Sequence, residues 1–479
     1  MKQICSALPA ILIATAGVHG QAATQPAKPN FVFFLVDDLG WGDLGCFGST
    51  FHETPNIDKL CAEGMKFTSA YSACTVCSPS RAAILTGRYP ARLHLTDWIA
   101  GHRKPFEKLS VPDWQMYIDQ ERITLPEALR EGGYSNQFIG KWHLMPDLTP
   151  ELWPEHTPEK HGFDGNIAGR EWGHPKGPGR YFYPWDMPNL DGKDGDFLTD
   201  RLTDKAIDYL GSIGEKPFLL YMAYYAVHEP VMAKPEYVKK YKSKLAKVPA
   251  GTYTQTDPKY AGLVQSVDDS VGRIVEKLRA QGKLGNTIFI FTSDNGGLKN
   301  VYNGGLRGAK GTEFEGGTRV AAFVVWPGVT QPGLVCDVPI IGTDYYPTML
   351  EMAGLPLKPE EHKDGISIVP LLKQSGSLNR DALYWHYPHY HASNPHGTIQ
   401  YKGWKLIEHF EDGELMLFDL ANDPKEENDL AQSKPEKAAE LLKKLQDWRQ
   451  QVGAQMPTPN PNYNPQKAGG GKGSGKADK

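Results

Sequence analysis

Two groups of oxygen-bearing side chains stand directly after apolar runs in this chain. Phe31–Val36 (FVFFLV) leads into Asp37-Asp38, and Thr287–Thr292 leads into Ser293-Asp294-Asn295. Adjacent carboxylates repel each other unless positive charge lies between them. Asp37, Asp38, Asp294 and the amide of Asn295 make an all-oxygen donor set, which suits a hard divalent cation such as Ca²⁺ or Mg²⁺. The same residue types are common in solvated turns, so their meaning depends on what stands beside them. Gln137–Gly140 ends at Lys141 with His143 two residues on, Phe218–Tyr224 precedes His228, and Arg307-Gly-Ala-Lys310 follows the Asp294 segment. Cations and histidines from separate strand ends, converging on a metal, imply an anion with several oxygens.

The stretch Cys74-Thr-Val-Cys77-Ser-Pro-Ser-Arg81-Ala-Ala-Ile-Leu-Thr-Gly-Arg88 adds a cysteine pair at a turn that leads into a helix. Cys-x-x-Cys spacing is used by redox and zinc sites. Here no second Cys/His pair lies nearby, and the two arginines oppose a bound cation. A helix starting near Pro79 directs its positive end towards the anion site.

Cys77-Ser78-Pro79-Ser80-Arg81 followed by Leu85-Thr86-Gly87-Arg88 resembles the signature of the type I sulfatases, in the alkaline-phosphatase-like superfamily. It stands in order with Asp37-Asp38, Gly140-Lys-Trp-His-Leu, His228-Glu-Pro, Ser293-Asp-Asn-Gly and Leu306-Arg-Gly-Ala-Lys310, and the resemblance runs from about Pro29 to about Gln450. Met145 and Ala321 replace a glycine and a proline often found in the family, at positions without a chemical role. The resemblance implies that Cys77 is oxidised before folding to formylglycine by a maturation enzyme. It implies that Asp37, Asp38, Asp294 and Asn295 hold one Ca²⁺ together with residue 77. It further implies that Arg81 steadies the hydrated aldehyde and that Lys141 and Lys310 grip the sulfate. His228 and Lys310 then support the leaving alcohol, and His143 takes the proton that lets sulfate depart and the aldehyde return. A serine lacks the second hydroxyl needed for that collapse.

Positioning such a site requires buried strands that alternate with helices. Phe31–Val36, Gln137–Gly140, Phe218–Tyr224, Thr287–Thr292 and Val320–Trp326 read as strands, and Tyr260–Leu278 keeps its apolar residues on one helical face. The pattern predicts an α/β fold, a doubly wound mixed sheet flanked by helices. Beyond residue 375 the composition changes. Tyr401–Phe410 and Leu415–Leu420 read as strands and Lys434–Gln450 as a helix, a smaller C-terminal α+β domain with a small antiparallel sheet. The expected organisation is a signal peptide at 1–22, a catalytic domain at 23–375, the small domain at 376–455 and a disordered Pro/Gly-rich tail at 456–479.

Lys2, the apolar run Ala7–Gly17 and small residues up to Ala22 read as a secretory signal too short to span a membrane, and no other stretch is long enough. A secreted or periplasmic protein is expected, and the absence of any Asn-x-Ser/Thr site favours a bacterial source. A net charge of -4 gives no basic field for nucleic acid. If Cys5 leaves with the signal and Cys77 is converted, four of the six cysteines remain, with pairing unreadable.

For the leaving group, aromatic, charged and histidine side chains outside the motifs are candidates: Asp97, Trp98, His102, Arg103, Arg170, His174, and His389 and His391 in the run Tyr384–His391. Aromatic faces beside hydroxyl-binding groups suit a sulfated carbohydrate, whereas the Tyr/His run equally suits packing between domains. Two alternatives stay open: a phosphonate or phosphodiester hydrolase of the same superfamily, and a non-catalytic relative that binds sulfated glycans.

Overall fold

The first apolar run forms the strand Asn30–Val36, and all seven of its residues are buried. Alternate side chains enter different cores, as a period of two requires: Phe31, Phe33 and Leu35 on one face, Val32, Phe34 and Val36 on the other. A strand covered on both faces has no polar side, which explains the unbroken apolar runs. The computed structural model describes residues 28–102, 104–249, 255–299 and 302–469. The expected signal peptide and Arg103 therefore lie outside the described residues.

The central sheet has nine strands. In spatial order they are Ile340–Ile341, Met65–Tyr71, Arg319–Val325, Thr287–Ser293, Asn30–Val36, Phe218–Ala223, Ser135–Gly140 and Gly165–Ile167, with Leu334–Cys336 also paired to Met65–Tyr71. The strands from Thr287 to Gly165 in that order are parallel. Arg319–Val325 runs antiparallel to both of its neighbours, so the sheet is mixed. Helices Cys77–Thr86, Leu125–Glu131 and Tyr345–Met352 supply side chains to one core; Pro55–Ala62, Leu198–Ser212 and Pro258–Ala280 supply the other. The parallel strands all present their carboxyl ends at one edge, where ligands collect in such sheets. Among the described residues no helix is long and apolar enough to cross a membrane.

The C-terminal sheet has four antiparallel strands, Ala382–Tyr387, His396–Tyr401, Trp404–His409 and Leu415–Asp419, followed by helix Pro435–Val452. Tyr401–Phe410, expected as one strand, is broken by Lys402 (φ 49°) and Gly403 (φ 82°), a two-residue hairpin turn that pairs Tyr401 with Trp404. The tail also differs from expectation over 456–469. Thr458–Pro459 pairs with Leu109–Ser110, and Asn460 Nδ2 donates to the carbonyls of Pro105 (2.9 Å) and Glu107 (2.7 Å). Its composition lacks core-forming residues, but backbone pairing requires none; 470–479 lie outside the described residues.

Leu383, Trp385, Ile399, Leu406, Leu441 and Trp448 of the small unit share a core with Tyr71, Ala83, Tyr89 and Ile341. Two polar contacts cross the same seam. Buried Lys405 places Nζ 3.1 Å from Glu315 Oε1 and 2.8 Å from Glu426 Oε1. Asp97, fully buried, accepts hydrogen bonds on Oδ1 from Tyr387 Oη (2.6 Å) and from Trp98 N (2.8 Å). Burial pushes Asp97 up to about 7 against these bonds and one from His102.

Lys405→Met strands two carboxylates in a dry interior and is expected to cost about 3–5 kcal/mol, read as a lower denaturant midpoint with unchanged slope. The folded protein holds a proton on Asp97 up to about pH 7, whereas the unfolded chain releases it near its ordinary 3.8. The stability from this group is therefore fully present below the unfolded value and is lost as pH rises through the folded one. Asp97→Asn keeps an acceptor for Tyr387 and removes the titration, so its Tm should decline less steeply than wild type across that window. Parallel Tm–pH curves would show that Asp97 is not the titrating group.

Candidate active site

The helix Cys77–Thr86 starts at Cys77 itself, two residues earlier than Pro79 suggests, because proline is tolerated throughout a first turn. Extended Val76 precedes it without a side-chain cap, and all ten helix residues are buried. Cys77 thus sits among unsatisfied first-turn N–H groups, at the positive pole. Burial pushes its thiol pKa up, against the pull of Lys141 and Lys310. A thiol held protonated in this way is a poor nucleophile at neutral pH. Cys74 packs instead with Val76 and Tyr387, and neither cysteine is in a disulfide.

The strand ends deliver the remaining groups. Asp37 and Asp38 follow Asn30–Val36, Asp294 and Asn295 follow Thr287–Ser293, and all four are 0 % exposed. Asp38 takes φ 58° and His143 φ 55°, left-handed conformations uncommon outside glycine. Between strand and Lys141, Gly140 takes φ 113°, and a Cβ there would lie 1.8 Å from the Ala223 carbonyl oxygen. Only glycine lets the chain turn that closely and deliver Lys141 to the edge.

Each carboxylate has a cation. Lys141 Nζ contacts both Asp37 oxygens at 2.9 and 2.7 Å. Lys310 Nζ lies 2.9 Å from both Asp38 oxygens. Arg81 donates from Nε to Asp294 Oδ2 (2.9 Å) and from a terminal nitrogen to the Lys141 carbonyl (2.7 Å). Burial raises Asp37 well above the usual carboxylate range; Lys141 opposes this, while Asp294 and Asp38 add to it. Burial also raises Asp38, but Lys310, His228 and Lys141 outweigh it and hold that group low.

The donor set fits a hard cation. Single ligand atoms of Asp37, Cys77 and Asp294 lie within 4.8 Å of one another, as do those of Asp38, Cys77 and His228. Asn295 donates from Nδ2 to Asp38 Oδ1 (2.7 Å) and the Gly296 carbonyl (2.9 Å), while its own Oδ1 is buried without a partner. An orphaned amide oxygen beside three carboxylates is an acceptor awaiting positive charge.

Burial holds both site histidines towards their neutral forms. His143 donates from Nε2 to the Ile99 carbonyl, which leaves Nδ1 a bare, buried acceptor. Burial, then Lys141, Arg81 and Lys310, push its pKa well down. His228 donates from Nδ1 to the Glu229 carbonyl (2.9 Å), so Nε2 accepts from Lys310 Nζ at 2.9 Å. Burial and Lys310 hold His228 well below its ordinary value, and the shared proton rests on the lysine.

These groups wall a cavity of about 830 Å³ that includes Cys77, His143, His228 and Lys310. Trp98, His102, His174 and His391 also line it. Three expected substrate contacts do not. Asp97 is fully buried, with Oδ1 held by Tyr387 and Trp98. Arg170 pairs with Glu171 (2.8 Å) and stacks on Trp172 at 3.8 Å. His389 is 1 % exposed, bonded through Nε2 to Thr96 Oγ1 (2.8 Å) and packed on Trp114. Each is taken out of the lining by a nearer partner. Conversely, Asp147, Lys176, Glu229 and Lys299 line the cavity, and sequence reasoning misses them. Single loop charges carry no spacing to find.

The sulfatase family profile matches residues 29–355, and the profile described as N-sulphoglucosamine sulphohydrolase, C-terminal, matches residues 309–453. The chain is 34% identical to N-acetylgalactosamine-6-sulfatase of Mus musculus over 411 residues, 80% of this chain and 73% of that protein. It is 30% identical to a sulfatase of Formosa agariphila, over 88% of each chain. The crystal structure of Ps i-CgsB in complex with k-i-k-neocarrahexaose superposes with a TM-score of 0.73 at 28% identity, over 91% of this chain and 94% of that one. With two thirds of its length matched by the family profile and with relatives aligned along most of it, the chain belongs to the sulfatase family of hydrolases.

Proposed function

We propose that this protein removes the sulfate ester from a sulfated saccharide, of galactose type, with residue 77 as nucleophile in its formylglycine form. The carrying observation is Cys77 at a helix start, with Asp37 and Asp294 ligand atoms within 4.8 Å and Lys310 and His228 on the same cavity wall. Similarity to N-acetylgalactosamine-6-sulfatase supports the sugar class, and the k-i-k-neocarrahexaose bound to the structural neighbour supports a saccharide ligand.

Asp37, Asp38, Asp294 and Asn295 would hold one Ca²⁺ with residue 77. When bound, it supplies positive charge at the sulfate and favours the ionised nucleophile. The protein's own charge motivates this. Arg81, Lys141 and Lys310 only balance Asp37, Asp38 and Asp294, so a divalent cation leaves a net excess to attract a sulfate ester. The hydrated aldehyde at residue 77 supplies the two hydroxyls that a thiol pushed up by burial does not.

The remaining roles follow from where protons sit. Lys310 holds its proton at Nζ, hydrogen-bonded to neutral His228, and that pair is the acid that meets the leaving alcohol. His143 Nδ1, unprotonated and unpartnered, is the base that accepts a hydroxyl proton from residue 77. Arg81, fixed by Asp294 and the Lys141 carbonyl, keeps its charge beside the nucleophile. The protein matures through a formylglycine-generating enzyme and works outside the cytoplasm.

The mass of the tryptic peptide Phe67–Arg81 from native-host protein is expected to report an aldehyde in place of the Cys77 side chain. Sulfate released from galactose 6-sulfate, N-acetylgalactosamine 6-sulfate and glucosamine 6-sulfate, quantified by ion chromatography, is expected to favour the first two. Cys77→Ala should release none while keeping its Tm; full activity in that variant sinks the nucleophile assignment. Lys310→Ala is expected to lose about 10²–10³-fold in kcat, and His143→Ala about 10²–10⁴-fold. Chelation should abolish release and added Ca²⁺ restore it; activity that survives exhaustive chelation removes the metal from the scheme.

A further inference from the structure

The cavity that holds Cys77 does not end at the leaving-group side. A second cavity of about 1170 Å³ adjoins it, and Asp147, His174, Lys176, His228 and Glu229 belong to the walls of both. The segment Pro175–Arg180, with Pro230 and Val231, supplies the rest of its lining. The reacting centre therefore opens at His228 into a continuous groove. The first cavity alone lies within the roughly 300–1,000 Å³ that holds an ordinary small ligand. The second adds more room than one sugar ring needs.

The groove's charge is specific. Lys176 is half-buried and Arg180 exposed, and among the described residues neither side chain has a carboxylate or hydrogen-bond partner. Elsewhere in this protein surface cations are commonly paired, as Lys234 is with Asp200 and Arg201 with Asp204. His174 reports the local field. Partial desolvation, then Lys176, Lys141, Lys310 and Arg180, push it down to about 4. Asp147 and Glu229 stand on the same walls as hydroxyl acceptors, and no cation neutralises either side chain among the described residues. Cations left free next to a reacting anion site invite a second anion, and free carboxylates beside them suit sugar hydroxyls.

Resting on the sulfated-saccharide reading, we propose that the groove is a subsite for the next sugar, whose own anionic substituent, a sulfate ester or carboxylate, is bound by Lys176 and Arg180. The preferred substrate is then a polyanionic oligosaccharide, and a single sulfated sugar fills only the Cys77 half of the site.

The test is calorimetric titration of the non-turning Cys77→Ala protein with galactose 6-sulfate, a chondroitin 6-sulfate tetrasaccharide and k-i-k-neocarrahexaose. At least one oligosaccharide is expected to bind about tenfold tighter than the monosaccharide. Adding Lys176→Gln and Arg180→Gln is expected to erase that gain, so that the oligosaccharides bind no tighter than the monosaccharide does to the same variant. If galactose 6-sulfate binds and neither oligosaccharide binds tighter, the subsite is wrong and the sulfatase reading stands. The subsite is also wrong if the double variant weakens all three ligands equally. If the oligosaccharide gain depends on Lys176 and Arg180 but the converted wild-type protein releases no sulfate from either oligosaccharide, the subsite stands and the hydrolytic reading falls. Failure of all three to bind overturns both. The comparison within the Cys77→Ala background needs no groove variant, so a misfolded double variant does not protect the proposal.

Discussion

Three carboxylates buried at one sheet edge form the constraint on which the rest of this structure depends. Asp37, Asp38 and Asp294 are fully buried, with ligand atoms of Asp37 and Asp294 within 4.8 Å of each other, and ionised groups in such a place are very costly unless matched. The match comes from three separate places in the chain: Lys141 after one strand, Lys310 in the loop that follows another, and Arg81 inside a helix. No local stretch could supply it. Parallel pairing of Asn30–Val36 with both Thr287–Ser293 and Phe218–Ala223 brings these distant segments to one edge. The tight turn at Gly140 and the left-handed residues Asp38 and His143 follow from the same demand.

That balance also explains why the site reads as chemistry. A closed set of equal charges is structurally complete, yet Asn295 Oδ1 and His143 Nδ1 remain buried without partners. A fold selected for stability alone would replace such atoms with apolar ones. In the proposed scheme these two atoms take the cation and the proton.

Much of this was legible in the sequence because it rests on periodicity and on strand-end position. The runs at Phe31, Phe218 and Thr287 are unbroken because both sheet faces are covered, and the residues after them reach the site by topology. The one-sided pattern of Tyr260–Leu278 likewise matches a helix with Tyr260, Leu263, Val267 and Ile274 buried. What escaped was decided by partners distant in sequence. Asp97 looked like a sugar ligand, but the Tyr387 hydroxyl, from a strand nearly three hundred residues on, occupies it. His389 met Thr96 and Trp114 in the same way. The tail lacked apolar pattern, yet Leu109–Ser110 offered a free edge. Lys176 and Arg180 had no motif at all; only the cavity beside them gives them a context.

The seam between the two sheets has a bearing on how specificity can be exchanged among relatives. Tyr387 anchors Asp97, the same loop carries Trp98 and His102, and His391 packs its ring 4.9 Å from that of His102 at the cavity wall. The wall is thus a composite of both units. A chimaera cut between the large and small sheets, the natural place for a domain swap, would divide one half of this cavity wall from the other. It would also leave Asp97 and Lys405 facing foreign partners. This part of the cavity wall is transferable only as a pair of matched segments, 96–102 together with 382–391, and sequence drift in one constrains the other.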